Sequence, residues 1–131
     1  SYICKMKLTK NFSLSEFASH DGEPTPPEVV ENLKELAKEL QVLRDYLNTP
    51  LKINSGYRSP AHNKAVGGAK FSQHLLGKAA DISSNKYTPD QIYAAVKLLQ
   101  KEGKIRIGGI GRYNSFLHLD TGNTREWDLR K

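Results

Sequence analysis

Two histidines and two aspartates lie in two short segments in the second half of the chain. Residues 72–81 read S-Q-H-L-L-G-K-A-A-D, and residues 116–120 read F-L-H-L-D. A catalytic zinc site takes three nitrogen or oxygen ligands and keeps one position open. The ligand set that fits this number and chemistry is His74, Asp81 and His118.

These side chains can meet if the segments around them form strands. We expect Asp81 on a strand that enters the core, and His74 on a preceding loop that Gly77 allows to fold back. His118 would come from a neighbouring strand, where the alternation of side chains puts Asp120 on the same face. A buried carboxylate at position 81 needs a partner, and a metal is a good one. Spacing alone does not establish the site, because a single histidine is more often a packed or exposed side chain than a ligand.

Three ordered motifs give the region from 54 to 122 a resemblance to a known family. Residues 72–81 match S-x-H-x-x-G-x-A-x-D in full. Upstream, 55–59 read S-G-Y-R-S; downstream, 109–113 and 116–122 read G-I-G-R-Y and F-L-H-L-D-T-G. In these motifs the chain resembles the zinc D-alanyl-D-alanine carboxypeptidases and L-alanyl-D-glutamate endopeptidases of bacteria and phage lysins. The resemblance implies an M15-like peptidase with a hedgehog-type fold, which hydrolyses stem or cross-link peptides of peptidoglycan as a carboxypeptidase or an endopeptidase.

The resemblance also implies roles for individual residues. Arg58, in the Y-R-S motif, would bind the carboxylate of the substrate or the developing oxyanion. Ser72 and Gln73 would line the cleft beside the first histidine, and Tyr57 would contact the peptide. A water activated by the metal would attack the scissile carbonyl. One Zn²⁺ would be held by His74, Asp81 and His118.

The sequence departs from the family pattern at the expected general base. Many members carry an acidic residue three positions before the final zinc histidine, or a histidine two positions before it. Here these positions hold Ser115 and Phe116, and neither side chain can take a proton from water. We nominate Asp120 either as the base or as a hydrogen-bond partner of a ligand imidazole. A structural role, in which Asp120 accepts hydrogen bonds from loop N–H groups, is an equal alternative.

Several other side chains have ordinary structural explanations. Arg58 can be a surface ion-pair former. The aromatic residues Tyr57, Tyr113 and Trp127 can flank a cleft, although aromatic side chains in a small domain more often belong to the core. His62 lies at the start of a predicted short helix and His20 in a predicted turn, and for both we expect a structural role or exposure to solvent.

Capping signals predict the helices that must hold these segments in place. A hydroxyl residue followed three positions later by Glu or Gln marks a helix start, and prolines at 26 and 89 would occupy first helical positions. Apolar residues at three-to-four spacing predict a long helix from about Pro26 to Asn48 and a later helix that ends near Gly103. The predicted buried residues are Val30, Leu33, Leu36, Ala37, Leu40, Leu43 and Leu47 on the first helix, and Ile92, Ala95, Val96 and Leu99 on the second. The predicted capping boxes are Ser13 with Glu16, Thr25 with Glu28, and Thr88 with Gln91.

Short apolar runs between turn residues predict four strands, with Gly67-Gly68 and Gly108-Gly109 as turns or bulges. The predicted strands cover 51–54, 79–83, 105–110 and 116–120. The predicted fold class is α+β, with helices packed on a small, mainly antiparallel sheet. We expect one domain over 1–131, with N-terminal helices at about 13–48 and the metal-site region at about 54–122.

Composition limits the possible partners. The chain has 131 residues and a formal net charge of +6, which attracts polyanions such as a cell wall or nucleic acid. Its basic residues are scattered, so we predict no nucleic-acid partner. The single cysteine, Cys4, excludes a disulfide framework and a cysteine-rich zinc finger. No apolar run approaches the length of a membrane span, and we expect a monomer.

Two functions compete with the predicted hydrolase. A zinc-stabilised binding module for cell wall or a partner protein would keep the metal and lack the base, as Ser115 and Phe116 suggest. A nucleic-acid binder would show steeply salt-dependent affinity. For the hydrolase we expect action at the bacterial cell wall, as a periplasmic, secreted or phage-encoded protein such as an endolysin. No signal peptide is visible, although a segment upstream of Ser1 can have been removed.

Overall fold

A computed structural model of the protein describes residues 6–131, so Cys4 lies outside the described residues. The predicted α+β class is confirmed: within residues 6–131, three α-helices accompany one five-stranded sheet. The helices are α1 (Pro27–Leu47), α2 (Pro60–Ala65) and α3 (Pro89–Lys101). Two 3-10 helices cover Leu14–Phe17 and Gln73–Leu76. The strands are β1 (Lys52–Ser55), β2 (Ala79–Ser83), β3 (Gly109–Arg112), β4 (Leu117–Asp120) and β5 (Arg125–Asp128).

The strand order places β2 and β4, which carry Asp81 and His118, next to each other near the centre of the sheet. The order is β1-β2-β4-β3-β5, with antiparallel pairs except for β3 and β5, which run parallel. In the central pair, Asp81 of β2 lies directly opposite His118 of β4. Because side chains alternate along a strand, Ala80 and Ile82 face the core while Asp81 faces the other side. The central pair therefore carries two of the three predicted ligands, Asp81 and His118, on the side of the sheet that faces away from the core.

The long helix α1 supplies the main apolar surface that covers the other face. Its apolar residues recur at helical spacing and six of the seven predicted core positions are buried, but Val29 takes the buried place predicted for Val30, which is half-buried. Asn48 ends the helix in the left-handed conformation at φ 51°. On α3 all four predicted core residues are buried: Ile92, Ala95, Val96 and Leu99.

Only one of the three predicted capping boxes forms. Thr88 accepts a hydrogen bond from the Gln91 N–H, and the Gln91 side chain accepts one from Thr88. Ser13 precedes only a four-residue 3-10 helix, and its side chain makes no capping bond. The box at Thr25 is wrong by one position: Pro26 is the N-cap and Pro27 the first helical residue. A proline restricts the residue before it to extended backbone, so Pro27 holds Pro26 outside the helix.

The third predicted strand is displaced and a fifth strand was not predicted. Residues 105–108 are irregular, although Ile105 and Ile107 are buried, and β3 begins at Gly109. Gly109 thus lies in a strand instead of a turn. A Cβ at Gly109 would come within 2.3 Å of Asp120, and one at Gly111 within 2.5 Å of Trp127. Glycine at both positions leaves room for side chains of β4 and β5 on the site face of the sheet.

Candidate metal centre

The first predicted ligand, His74, lies in the 3-10 helix before β2. Ser72 caps this helix, and its Oγ accepts the backbone N–H of His74 at 3.1 Å. The imidazole Nδ1 lies 2.7 Å from the carbonyl oxygen of Gly56. A carbonyl only accepts, so Nδ1 carries the proton and Nε2 is left as the ligand atom. That Nε2 is 3.3 Å from Asp81 Oδ1, which means the backbone sets the histidine to face the carboxylate.

The 3-10 helix that carries His74 ends at Gly77, where both the backbone conformation and the packing require glycine. Gly77 adopts φ +72°, a conformation that side chains disfavour, and a Cβ there would come within 2.5 Å of Val29 on α1. Glycine here therefore allows the turn to pack closely against α1. The turn folds the chain back into β2, as predicted for the approach of His74 to Asp81.

The other two predicted ligands, Asp81 and His118, are cross-strand neighbours. His118 Nδ1 lies 3.0 Å from Asp81 Oδ1, and the His74 and His118 rings are 5.2 Å apart in an edge-on arrangement. One ligand atom from each of His74, Asp81 and His118 lies within 4.8 Å of the other two, and all three residues are buried. Zinc holds such donors at about 2 Å, so small side-chain adjustments let them share one ion. Two imidazoles and one carboxylate also form a donor set that zinc commonly uses.

Asp81 and His118 each shift the pKa of the other. Burial raises the pKa of Asp81, but hydrogen bonds from His118 and His74 outweigh burial and hold that pKa well below its ordinary value. Burial lowers the pKa of His118, whereas hydrogen bonds to Asp120 and Asp81 raise it to above its ordinary value overall. Asp81 is therefore ionised and ready to ligate a cation.

Asp120 lies against Nε2 of His118, the ring nitrogen that does not face Asp81. It is fully buried, and its Oδ2 is 2.7 Å from His118 Nε2. Arg125 donates to both carboxylate oxygens, at 3.0 and 2.8 Å, and the N–H groups of Gly109 and Gly122 donate to Oδ1. Burial raises the pKa of Asp120, but the bonds from His118 and Arg125 bring it down to about 2.

Arg58 closes another side of the site, with each nitrogen of its guanidinium held. Nε donates to Ser55 Oγ and Nη1 to Asn63 Oδ1, both at 3.2 Å, and Nη2 lies 3.5 Å from Asp81 Oδ2. Asn63 is itself buried and donates to the carbonyl of Ala69. The planar group is therefore fixed beside the ligands at the wall of a cavity.

This cavity, of about 480 Å³, has the three predicted ligands in its wall together with Arg58, Ser72 and Gln73. Tyr57 does not line it: the side chain is 5% exposed and packs in the hydrophobic core. Among residues 6–131, Asp81 is the only carboxylate in the cavity wall. Ser115 is exposed at one of the expected base positions, and the Phe116 ring lines the cavity at the other.

Three further residues line the cavity: Arg125, which was not predicted, and Tyr113 and Trp127, for which the sequence left a cleft or the core open. Arg125 and Trp127 alternate along β5 and face the site, where the His118 and Trp127 rings lie 5.0 Å apart. Tyr113 stacks on Phe116 at 4.5 Å, and its hydroxyl accepts the Trp127 indole N–H at 2.9 Å. The period-two spacing of Arg125 and Trp127 was the one available signal.

The two remaining histidines pair with each other outside the cavity. The His20 and His62 rings are 5.7 Å apart, and His20 is exposed while His62 is half-buried. His62 is the third residue of α2, where Ser59 caps its N–H. Neither histidine is among the residues that can share a metal ion within residues 6–131.

The peptidase M15 family model matches residues 10–120, and the chain therefore belongs to that family. It is 32% identical over 91 residues to the zinc D-Ala-D-Ala carboxypeptidase of Streptomyces albus G, covering 67% of this chain and 34% of that protein. It is 34% identical over 101 residues to the peptidoglycan L,D-endopeptidase MepK of Escherichia coli K12, covering 70% and 52%. The chain thus spans a third to a half of the length of these two relatives.

A solved structure is also similar. The L-Ala D-Glu endopeptidase ChiX of Serratia marcescens aligns at a TM-score of 0.49 and 21% sequence identity, over 72% of this chain and 86% of that one. Within residues 6–131, each helix is too short or too polar to span a bilayer.

Proposed function

We propose that the chain is a zinc-dependent peptidase that hydrolyses peptide bonds in the stem or cross-link peptides of peptidoglycan. The observation that carries the proposal is the convergence of His74, Asp81 and His118 within 4.8 Å at the wall of a cavity. Membership of the M15 family supports the reaction class. The relatives, a zinc D-Ala-D-Ala carboxypeptidase and a peptidoglycan L,D-endopeptidase, support peptidoglycan peptides as substrates.

The ligand roles follow from the hydrogen bonds of each imidazole. His74 would ligate through Nε2, since Gly56 holds its Nδ1 proton. His118 would ligate through Nδ1, since its Nε2 faces Asp120. When bound, zinc supplies a Lewis acid that polarises a carbonyl and lowers the pKa of water. The chain's own contribution is to fix three donors and leave the cavity side open to a peptide.

Arg58 would bind the substrate through its charge. The guanidinium lies beside Asp81, with Ser55 and Asn63 holding its orientation. A fixed planar fork suits a carboxylate of the peptide or the oxygen that gains charge at the scissile bond. Ser72 and Gln73 line the same cavity and would contact the peptide backbone.

For Asp120 the geometry supports a partner of His118 over a general base. A base must reach the water that it deprotonates, whereas Asp120 is fully buried behind the imidazole. Both of its oxygens already accept from His118, Arg125 or backbone N–H groups. We therefore propose that Asp120 holds the proton of His118 on Nε2 and so presents Nδ1 to the metal.

A binding module that lacks turnover is the second candidate function. The observation that favours it is the cavity wall, where Asp81 is the only carboxylate among residues 6–131 and is itself a proposed ligand. Such a module would bind zinc in a one-to-one ratio and bind cell wall or a partner without cleaving it.

Hydrolysis of purified muropeptides by the zinc-loaded protein tests the first proposal. We expect new amines or free D-alanine in mass analysis, and loss of this product in His74→Ala. His62→Ala is the matched control, because His62 lies outside the cavity. Stoichiometric zinc with wall binding and no product from any muropeptide would support the binding module. Activity would place the protein at the bacterial cell wall, as a wall-remodelling enzyme or as a phage endolysin.

A further inference from the structure

One hydroxyl group in the cavity wall has a proton that no described residue accepts. Tyr113 follows β3 and lines the cavity, with its ring stacked on Phe116. The Trp127 indole N–H donates to its hydroxyl oxygen at 2.9 Å. An indole N–H is a donor only, so the Tyr113 oxygen acts as the acceptor in this bond. Its own O–H remains available, and within residues 6–131 no acceptor takes it.

This hydroxyl is held at a fixed place relative to the metal ligands. Trp127 lies across Gly111 on the neighbouring strand, and a Cβ at Gly111 would come within 2.5 Å of the indole. The indole also lies beside the imidazole of His118, with 5.0 Å between the ring centroids. Because Trp127 touches both His118 and Tyr113, it positions the hydroxyl with respect to the ligand.

Tyr113 and Arg58 lie on opposite flanks of the ligand pair. Arg58 follows β1 and Tyr113 follows β3, while β2 and β4, which carry Asp81 and His118, lie between them in the sheet. The two groups also differ in charge. A guanidinium suits a carboxylate, whereas a neutral hydroxyl suits a carbonyl oxygen that gains negative charge as it reacts.

We propose that Tyr113 is a further catalytic residue, whose O–H donates a hydrogen bond to the oxygen of the scissile carbonyl. The inference rests on the proposed peptidase function. No proton is transferred from the tyrosine: the hydrogen bond strengthens as charge develops on the oxygen, and Trp127 orients the donor. Arg58 is then left to bind a carboxylate of the peptide.

Tyr113→Phe in the zinc-loaded protein tests the role in turnover. Removal of one preorganised donor lowers kcat by about 100-fold, while KM for a muropeptide changes little because the bond acts mainly in the transition state. Tyr93→Phe is the matched control, since the Tyr93 hydroxyl bonds Glu126 outside the cavity and its loss leaves kcat near wild type. Unchanged kcat in Tyr113→Phe overturns the inference and leaves the peptidase proposal intact.

A binding measurement tests the same contact without turnover. Trp127 is the only tryptophan in the chain, so its fluorescence reports directly on this cavity wall. The probe is a phosphinic dipeptide, whose tetrahedral phosphinate carries a charged oxygen in place of the scissile carbonyl. We expect an affinity about 100-fold lower in Tyr113→Phe than in wild type. A wild-type protein that binds the phosphinate no better than Tyr113→Phe overturns the inference, whether or not it hydrolyses muropeptides.

Discussion

Asp120→Asn separates a partner of His118 from a general base. The Asp120 carboxylate accepts five hydrogen bonds: two from Arg125, one from His118 and one each from Gly109 and Gly122. If asparagine keeps its oxygen toward the three donors at Oδ1, its NH₂ group meets His118 Nε2. Two donors then face each other, unless the imidazole moves its proton to Nδ1 and loses the nitrogen that would bind zinc.

The expected loss of zinc affinity is about 10- to 100-fold, which is the usual effect of removing a hydrogen-bond partner of a ligand. This equals about 1.4 to 2.7 kcal/mol of binding free energy. The assay is competition for zinc against a chromophoric chelator at fixed pH. Asp128→Asn is the control, because Asp128 is an exposed aspartate that pairs with Arg130. Wild-type zinc affinity in Asp120→Asn, combined with a kcat lowered 1,000-fold or more, would refute the reasoning and make Asp120 the base.

Three further predictions test the groups around the site and one helix cap. Lysine cannot reproduce the planar, two-pronged guanidinium of Arg58. Arg58→Lys is therefore expected to lower kcat/KM for muropeptides by about 10- to 100-fold, which corresponds to the free energy of one charge-assisted hydrogen bond. Hydrogen bonds from Ser59 and then Ser19 lower the pKa of Asp21 to about 2. Ionised Asp21 therefore stabilises the fold fully above its ordinary pKa near 3.8, and this stabilisation is lost as the pH falls toward 2. The difference in Tm between wild type and Asp21→Asn should shrink over that pH range. Thr88→Ala removes the capping box and is expected to cost about 1 kcal/mol in urea unfolding, while an unchanged midpoint would exclude the cap as a source of stability.

The residues whose positions could be predicted from the sequence lie in segments with a clear hydrophobic period. The period of two in β2 and β4 determines which residues face the core, and from it His118 and Asp120 were predicted to share one face. The helical spacing in α1 and α3 predicted most of the buried positions on those helices. In these segments, burial and backbone geometry favour the same arrangement.

The residues that sequence reasoning misplaced depend on contacts between distant segments. β5 has almost no buried residues, so no apolar pattern marked it, and Arg125 and Trp127 take their places only through Asp120, Gly109 and Gly111. Tyr57 was named as a substrate contact, with the core as the commoner place for an aromatic residue, and its ring packs in the core. Whether a polar or aromatic side chain faces a cavity depends on this packing, which spacing along the chain does not encode.

The pairing of β2 with β4 also has a consequence for the order of events in folding. Asp81 and His118 are 37 positions apart, and the whole of α3 lies between them in the chain. Closing so long a loop is a slow, non-local step, and it must precede assembly of the complete ligand set. The proposed ligand set therefore stays incomplete in a nascent chain until β4 has been synthesised and has paired with β2.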